Sequence, residues 1–228
     1  MANLIRLGRV LLGTGMVALG GLGMAYADFI LEWTPVPEHL PARTAFAYAH
    51  GLVLIVAGTG LLLAKTERVA ALVLGAVWAL WTLLHVPLVI INWRSGISGQ
   101  FEALAMTSGL FLLAAIAAGE TKNSFAVLVP RYAFAFCLPV FGIVHFLYPG
   151  GVASWVPRWL PAHLFWAYFT GIAHCAAGFS LVSGVLRQLA ARLFAIMLSS
   201  WVLIVHIPRV AAMPHDRHEW TTLLWRLP

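Results

Sequence analysis

Residues Val69–Ile91 read VAALVLGAVWALWTLLHVPLVII, 23 positions without one Asp, Glu, Lys or Arg. A helix rises 1.5 Å per residue, so this stretch is about 34 Å long, enough for a hydrocarbon layer about 30 Å thick. It is apolar on every side, whereas a helix at the surface of a soluble domain keeps a polar face. The charged joint Lys65-Thr66-Glu67-Arg68 precedes it and Asn92-Trp93-Arg94 follows. This segment reads as a membrane span, and the rest of the chain repeats its character.

Six further spans are predicted outward from it, at Val10–Ala27, Thr44–Ala64, Ala103–Ala118, Ala126–Leu147, Leu164–Gly184 and Leu189–Ala212. Short polar joints such as Gly119-Glu120-Thr121-Lys122-Asn123 and Arg187-Gln188 separate them. Composition agrees. Of 228 residues 61% are hydrophobic and 10% charged, and the mean hydropathy is +0.89. Soluble domains carry about 25% charged residues. A soluble globular enzyme, a collagen, a coiled coil and a disordered chain are all excluded. The expected fold class is an all-α membrane protein of about seven transmembrane helices, with the lipid bilayer as its first partner.

The two cysteines, Cys137 and Cys175, lie in apolar runs and form no CxxC pair, so neither a thiol redox motif nor a disulfide framework is read. The net charge of +6 bears on orientation. No basic cluster is dense enough for a nucleic-acid patch, and no nucleic-acid partner is expected. With seven spans, the face that holds the N-terminus carries eight Lys/Arg against two acids, and the other face carries six against six. The basic residues of the first face crowd short joints, which places the N-terminus in the cytoplasm of a cell (inner) membrane. Arg6, Arg9, an apolar stretch and Ala25-Tyr26-Ala27 also resemble a cleavable leader. The repeat described next favours a retained first helix.

Pro37–Leu61 and Pro157–Leu181 match at an offset of 120 residues, with ten identities that include Pro41/Pro161, Ala42/Ala162, Gly51/Gly171 and Gly58/Gly178. Trp81 matches Trp201, and after one inserted residue His85-Val86-Pro87 matches His206-Ile207-Pro208. A first unit with four spans returns the chain to its starting face, so the second unit enters in the same direction. The expectation is two parallel four-helix units, residues 1–122 and 123–228, related by an axis along the membrane normal, the second lacking its last helix.

All nine histidines fall on the second face or in its half of the membrane. Loop histidines suit the headgroup zone, but ionisable residues at depth are costly and turn toward a bundle interior. His50, His85, His174 and His206 are the candidate cofactor-binding residues. The two His-x-Pro motifs add loosened backbone, because Pro87 and Pro208 have no N–H for the carbonyls of Leu83 and Ile204. His85 and His206 are expected to face one cavity between the units, lined also by His50 and His174. Facing imidazoles also suit haem, but no HxxxH, HExxH or cysteine ligand set is present, and no metal site is read. Glu102 and Glu219 read either as helix-capping acids or as proton-handling carboxylates beside the histidines. Trp33, Trp93, Trp155, Trp159, Trp166 and Trp220 gather on the same face. They suit belt anchors and also a flat ring such as a quinone head group.

The four-span unit, the Pro-x-x-Leu-Pro loop, Phe101-Glu102-Ala103-Leu104-Ala105, His206-Ile207-Pro208-Arg209-Val210 and Glu219-Trp220-Thr221 together resemble the DoxX-like membrane proteins. The resemblance covers most of both units. It implies a multi-pass protein, with named members associated with quinone-linked sulfur oxidation as accessory subunits and many others without an assigned activity. The chain departs from that pattern by duplicating the unit and by lacking the last helix. The leading expectation is a subunit or small-molecule binder in quinone-linked redox chemistry at the outer face, with quinone ahead of haem as cofactor and a redox subunit as partner. A small-solute permease, favoured by repeats and proline-bearing helices, and an assembly partner without a site are the alternatives.

Overall fold

The computed structural model describes residues 2–30 and 34–225, which form helices and connecting turns with no strand among them. The order is α1 (Ala2–Ala25), α2 (Arg43–Leu62), α3 (Glu67–Ile91), α4 (Trp93–Ala117), α5 (Phe125–Leu147), the short α6 (Pro149–Ala153), α7 (His163–Ser183), α8 (Arg187–Trp201), a π turn (Val202–His206), α9 (Ile207–Ala212) and α10 (Arg217–Trp225). Among the described residues seven helical segments are long and apolar enough to cross a membrane, α8 through α9 counting as one. The protein is an all-α, multi-pass membrane protein. Glu32, Trp33 and Arg226, read above on the second face, lie outside the described residues.

Two boundaries differ from the expectation. The fourth helix begins at Trp93 rather than Ala103, so Gly96–Gln100 is helical and not a joint. Glycine makes this possible at position 96. A Cβ there would sit 2.8 Å from the Val89 backbone nitrogen, so only glycine lets α4 start so close to the end of α3. Packing thus overrides the weak helix propensity of the Gly- and Ser-rich stretch. The last span is not one regular helix. Trp81 and His85 are four residues apart in regular α-helix, while Trp201 and His206 are five apart, and the π turn takes up the additional residue. Such turns absorb one residue without ending the helix. Pro87 sits inside a continuous α3, and Pro208 follows directly on the π turn as the second residue of α9.

Ala42 and Ala162 both take the left-handed conformation just before α2 and α7, at φ 55° and 56°. Each follows a Leu-Pro pair, so the chain turns into both helices in the same way. Glycines then set the distances between neighbouring helices. Cβ atoms on Gly13 and Gly58 would each come 2.9 Å from the other residue's carbonyl, so α1 and α2 meet backbone to backbone. Gly178 faces Pro139 and the Ala135 carbonyl, and Gly142 faces the Gly171 carbonyl, which joins α5 to α7 in the same manner. In the first half Leu54, Leu61, Leu74, Trp78 and Leu110 fill a fully buried core between α1 and α4. Large apolar side chains such as Ile90, Ile91, Phe125 and Phe179 point outward, as lipid contact requires. Helix α8 has no fully buried residue.

The halves meet where α4 packs on α5 and where α10 packs on α1. The second contact is polar at its rim. Asp28 pairs with Arg43 at 2.8 Å and with Arg217 at 3.3 Å, and Arg217 also donates to the Phe29 carbonyl. Burial pushes the Asp28 carboxyl up. The Phe29 N–H, Arg217 and Arg43 outweigh that and hold it below the usual carboxylate range. Tyr26 Oη donates to the His215 carbonyl at 3.3 Å, and the Arg217 guanidinium lies over the Tyr26 ring.

Candidate functional site

A cavity of about 1180 Å³ lies between the halves. Helix α4 contributes Gly96, Ser98, Gly99, Glu102, Ala105, Met106, Gly109 and Leu110. From Ser98 onward these residues recur at steps of one, three and four, which describe a single face. From Gly96 to Leu110 that face runs about 21 Å, much of the membrane thickness. Opposite it, α5 presents Phe134, Leu138, Phe141, Val144, His145 and Tyr148. The two helices run antiparallel, so Gly96 lies toward the Tyr148 end and Leu110 toward the Phe134 end. Polarity is therefore graded along the cavity. Asn92, Ser98, Glu102, His145 and Tyr148 gather at one end, and Met106, Leu110, Phe134 and Leu138 at the other.

Three of the four expected histidines line this cavity: His85, His174 and His206. They come from α3, α7 and the π turn, three elements far apart in sequence. His85 is 1% exposed, His206 5% and His174 9%. The Nδ1 of His85 lies 2.8 Å from the Trp81 carbonyl, and that of His174 lies 2.7 Å from the Thr170 carbonyl. His145 makes the same contact with Phe141 at 2.7 Å, and its ring lies against that of His174, tilted by 36° with centroids 4.9 Å apart. His206 lies 6.1 Å from the Trp155 ring.

His50 does not line the cavity, contrary to the expectation. It accepts from Trp81 Nε1 at 3.3 Å and packs against the Phe29 ring, within the first half. The matching position of the second half, Thr170, does reach the cavity. The difference is one of filling. Around Leu54, Leu74 and Trp78 the first half is solid, while His174, Phe194 and Leu198, 120 residues on, stand on the cavity wall.

The acids divide as well. Glu102 is the tenth residue of α4 and not a capping residue, because the helix starts at Trp93, and it lines the cavity. Glu219 lies in the first turn of α10 and is 2% exposed. It accepts two bonds from Arg209, from Nε at 2.8 Å and from Nη2. The Arg209 guanidinium in turn lies 4.3 Å from the Trp155 ring centroid. Glu219 is thus the partner of an arginine, in a bidentate geometry that fixes both side chains.

His145 is the cavity residue that the sequence reading left out of the site. Its signal was present, since it shares the histidine-rich half of the membrane, but it has no counterpart in the first half. Of the two readings given to Glu102, the capping one falls with the earlier start of α4.

A family model described as a domain of unknown function (DUF8561) matches residues 134–228. This stretch runs from within α5 through α10 and carries His145, His174 and His206. No curated protein and no solved structure matches the chain.

Proposed function

We propose that the protein binds an amphipathic small molecule of the quinone type, with its ring at the histidine-rich end of the cavity and its hydrocarbon tail along α4 and α5. One observation carries this reading: a cavity of about 1180 Å³ that is polar at one end and apolar at the other, inside a membrane bundle. Ligand cavities range over about 300–1000 Å³, so a ring with a long tail is the scale of molecule that fills this one. The aromatic wall of Trp155, Trp166, Trp201 and Phe194 suits a flat ring. The resemblance to DoxX-like proteins points the same way. Haem fits less well. Two imidazoles bound to one metal at about 2.0–2.1 Å stand about 6 Å apart, whereas His145 and His174 lie tilted with centroids 4.9 Å apart, too close to hold an iron between them.

In the same reading the chain is a parallel duplication, supported by the shared turns at Ala42 and Ala162 and by the π turn at the inserted residue. The charge asymmetry puts the N-terminus in the cytoplasm of the inner membrane and the histidine end outside.

Three tryptophans on the wall provide the test, because quinones quench indole fluorescence. Titrating a decyl-substituted benzoquinone into the protein in lipid nanodiscs should give saturable quenching. Gly109→Leu should weaken it, since Gly109 lines the cavity and a Cβ there meets nothing within 4 Å. Absence of saturation, or unchanged binding in a folded Gly109→Leu protein, overturns the reading.

A further inference from the structure

We infer that the cavity opens sideways into the bilayer between α1 and α8, and that the hydrocarbon tail of the ligand leaves through this gap. The ligand is then a membrane-resident amphiphile whose tail is longer than the cavity. The inference rests on the amphiphile reading above and adds the route and the class of tail.

Away from its polar end, the cavity wall comes from α1, α4, α5, α7 and α8. Four of the five neighbouring pairs are closed. Helix α4 packs on α5, α5 on α7 and α7 on α8. Side chains of α1 and α4 share the first core, Met16 and Leu19 with Ala103 and Leu110. The fifth pair, α8 and α1, does not pack together among the described residues. Both nevertheless border the cavity, α1 through Gly8 and Leu12 and α8 through Phe194 and Leu198. These residues lie at one depth. Both helices rise from the same face, with Gly8 and Leu12 about 9 and 15 Å along α1 and Phe194 and Leu198 about 11 and 17 Å along α8.

The first half shows how such a gap is closed. There α4 packs on both α3 and α5, and a Cβ on Gly75 of α3 would meet the Phe111 ring of α4 at 3.0 Å. Leu74 and Trp78 are fully buried, whereas Phe194 and Leu198, 120 residues on, are only partly buried. Between α8 and α1 the described residues place only α10, which packs on α1, on α9 and on the π turn at the outer end. Its nine residues span about 14 Å of a layer about 30 Å thick. That shape selects the occupant. A helix that crosses the bilayer has no room beside α10 at the outer end, while a flexible chain passes below it. Both flanks of the gap are apolar, with Leu7, Val10, Leu193 and Ile196 exposed. No polar group is desolvated when a hydrocarbon tail lies there.

Quinones of one ring with no tail, a decyl tail or a decaprenyl tail test this in nanodiscs, read by tryptophan quenching and referred to the membrane concentration of each probe. The two tailed probes should bind within about threefold of each other, because the surplus tail stays in lipid before and after binding. Gly8→Phe narrows the gap without a clash, since a Cβ at Gly8 meets nothing within 4 Å. It should weaken the decaprenyl probe about tenfold more than the tail-less ring. The tail series needs no variant, so it decides even where Gly8→Phe does not fold. A decaprenyl probe more than about tenfold weaker than the decyl one means a closed cavity and overturns the lateral exit. So does a Gly8→Phe effect that is absent or equal on all probes. Thiol cross-links between copies through Leu198→Cys, absent from the parent, put a second chain in the gap and overturn it too. Each of these leaves the amphiphile site standing, whereas binding of none of the probes overturns both.

Discussion

Replacing Glu219 with alanine tests how α10 is held. A helix of nine residues does not sustain itself in isolation, so its docking depends on tertiary contacts. Glu219 is 2% exposed and bidentate on Arg209, which is 34% exposed and lies over Trp155. Breaking a fully buried pair costs about 3–5 kcal/mol. One-third exposure lets water recover part of the Arg209 charge, which leaves about 2–3 kcal/mol. For a chain of this size each kcal/mol moves Tm by about 2–4 °C, so Glu219→Ala should lower it by about 4–12 °C. Glu219→Gln keeps the shape and one acceptor and should lose about half as much. The double variant Arg209→Leu/Glu219→Leu buries no lone charge and should melt close to the parent. Thermal unfolding followed by tryptophan fluorescence in nanodiscs measures all three. A Glu219→Ala protein that melts within about 1 °C of the parent, or no lower than the double variant, refutes the reasoning.

Three further outcomes are expected. Reporter fusions at the two ends should place the N-terminus in the cytoplasm and the C-terminus outside; alkaline phosphatase that is inactive at the C-terminus would reverse the orientation. Gly178→Val puts a side chain against Pro139 and the Ala135 carbonyl and should cost about 1–3 kcal/mol by overpacking, read as a lower melting temperature than that of Gly109→Leu. The Asp28 carboxyl is held below its ordinary value of 3.8 in the folded protein, so its contribution is full above about pH 4 and is lost as pH falls through the folded value. Accessibility of α10 to protease should rise on acidification in the parent and show no such step in Asp28→Asn.

Seven spans were legible because apolar composition over about 20 residues is nearly sufficient for a helix in lipid, where every backbone group must be paired within its own segment. The joints were less legible. Gly96-Ile97-Ser98-Gly99 has the composition of a loop, and only the contact of Gly96 with α3 makes it helix. The later start also favoured reading Glu102 as a cap over its alternative as a carboxylate beside the histidines, and it lies on the cavity wall. His85, His174 and His206 line one cavity, since their positions follow from helical depth and from the cost of turning imidazole to lipid. His50 did not, because the side of α2 it occupies packs against Trp81 and Phe29, and no pattern in α2 alone says which neighbour that side meets. The π turn was visible only as a shift of the repeat from 120 to 121 residues.

The contrast between the halves explains why a site would sit where it does. In the first half, Leu54, Leu74, Trp78 and Leu110 close the space between helices, and close packing of this kind leaves no room for a ligand. At the matching places of the second half stand His174, Phe194 and Leu198, and none of them meets a helix placed as α4 is among the described residues. At position 174 the histidine holds the Thr170 carbonyl through Nδ1–H and stands on the cavity wall, whereas the matching Leu54 is fully buried in the first core. Helix α4 then serves twice: Ala103 and Ala114 sit in the first core, and the face from Gly96 to Leu110 lines the cavity. A packed half that fixes the position of α4 and an open half that faces it leave the cavity with one rigid wall, which the proposed binding reading would use.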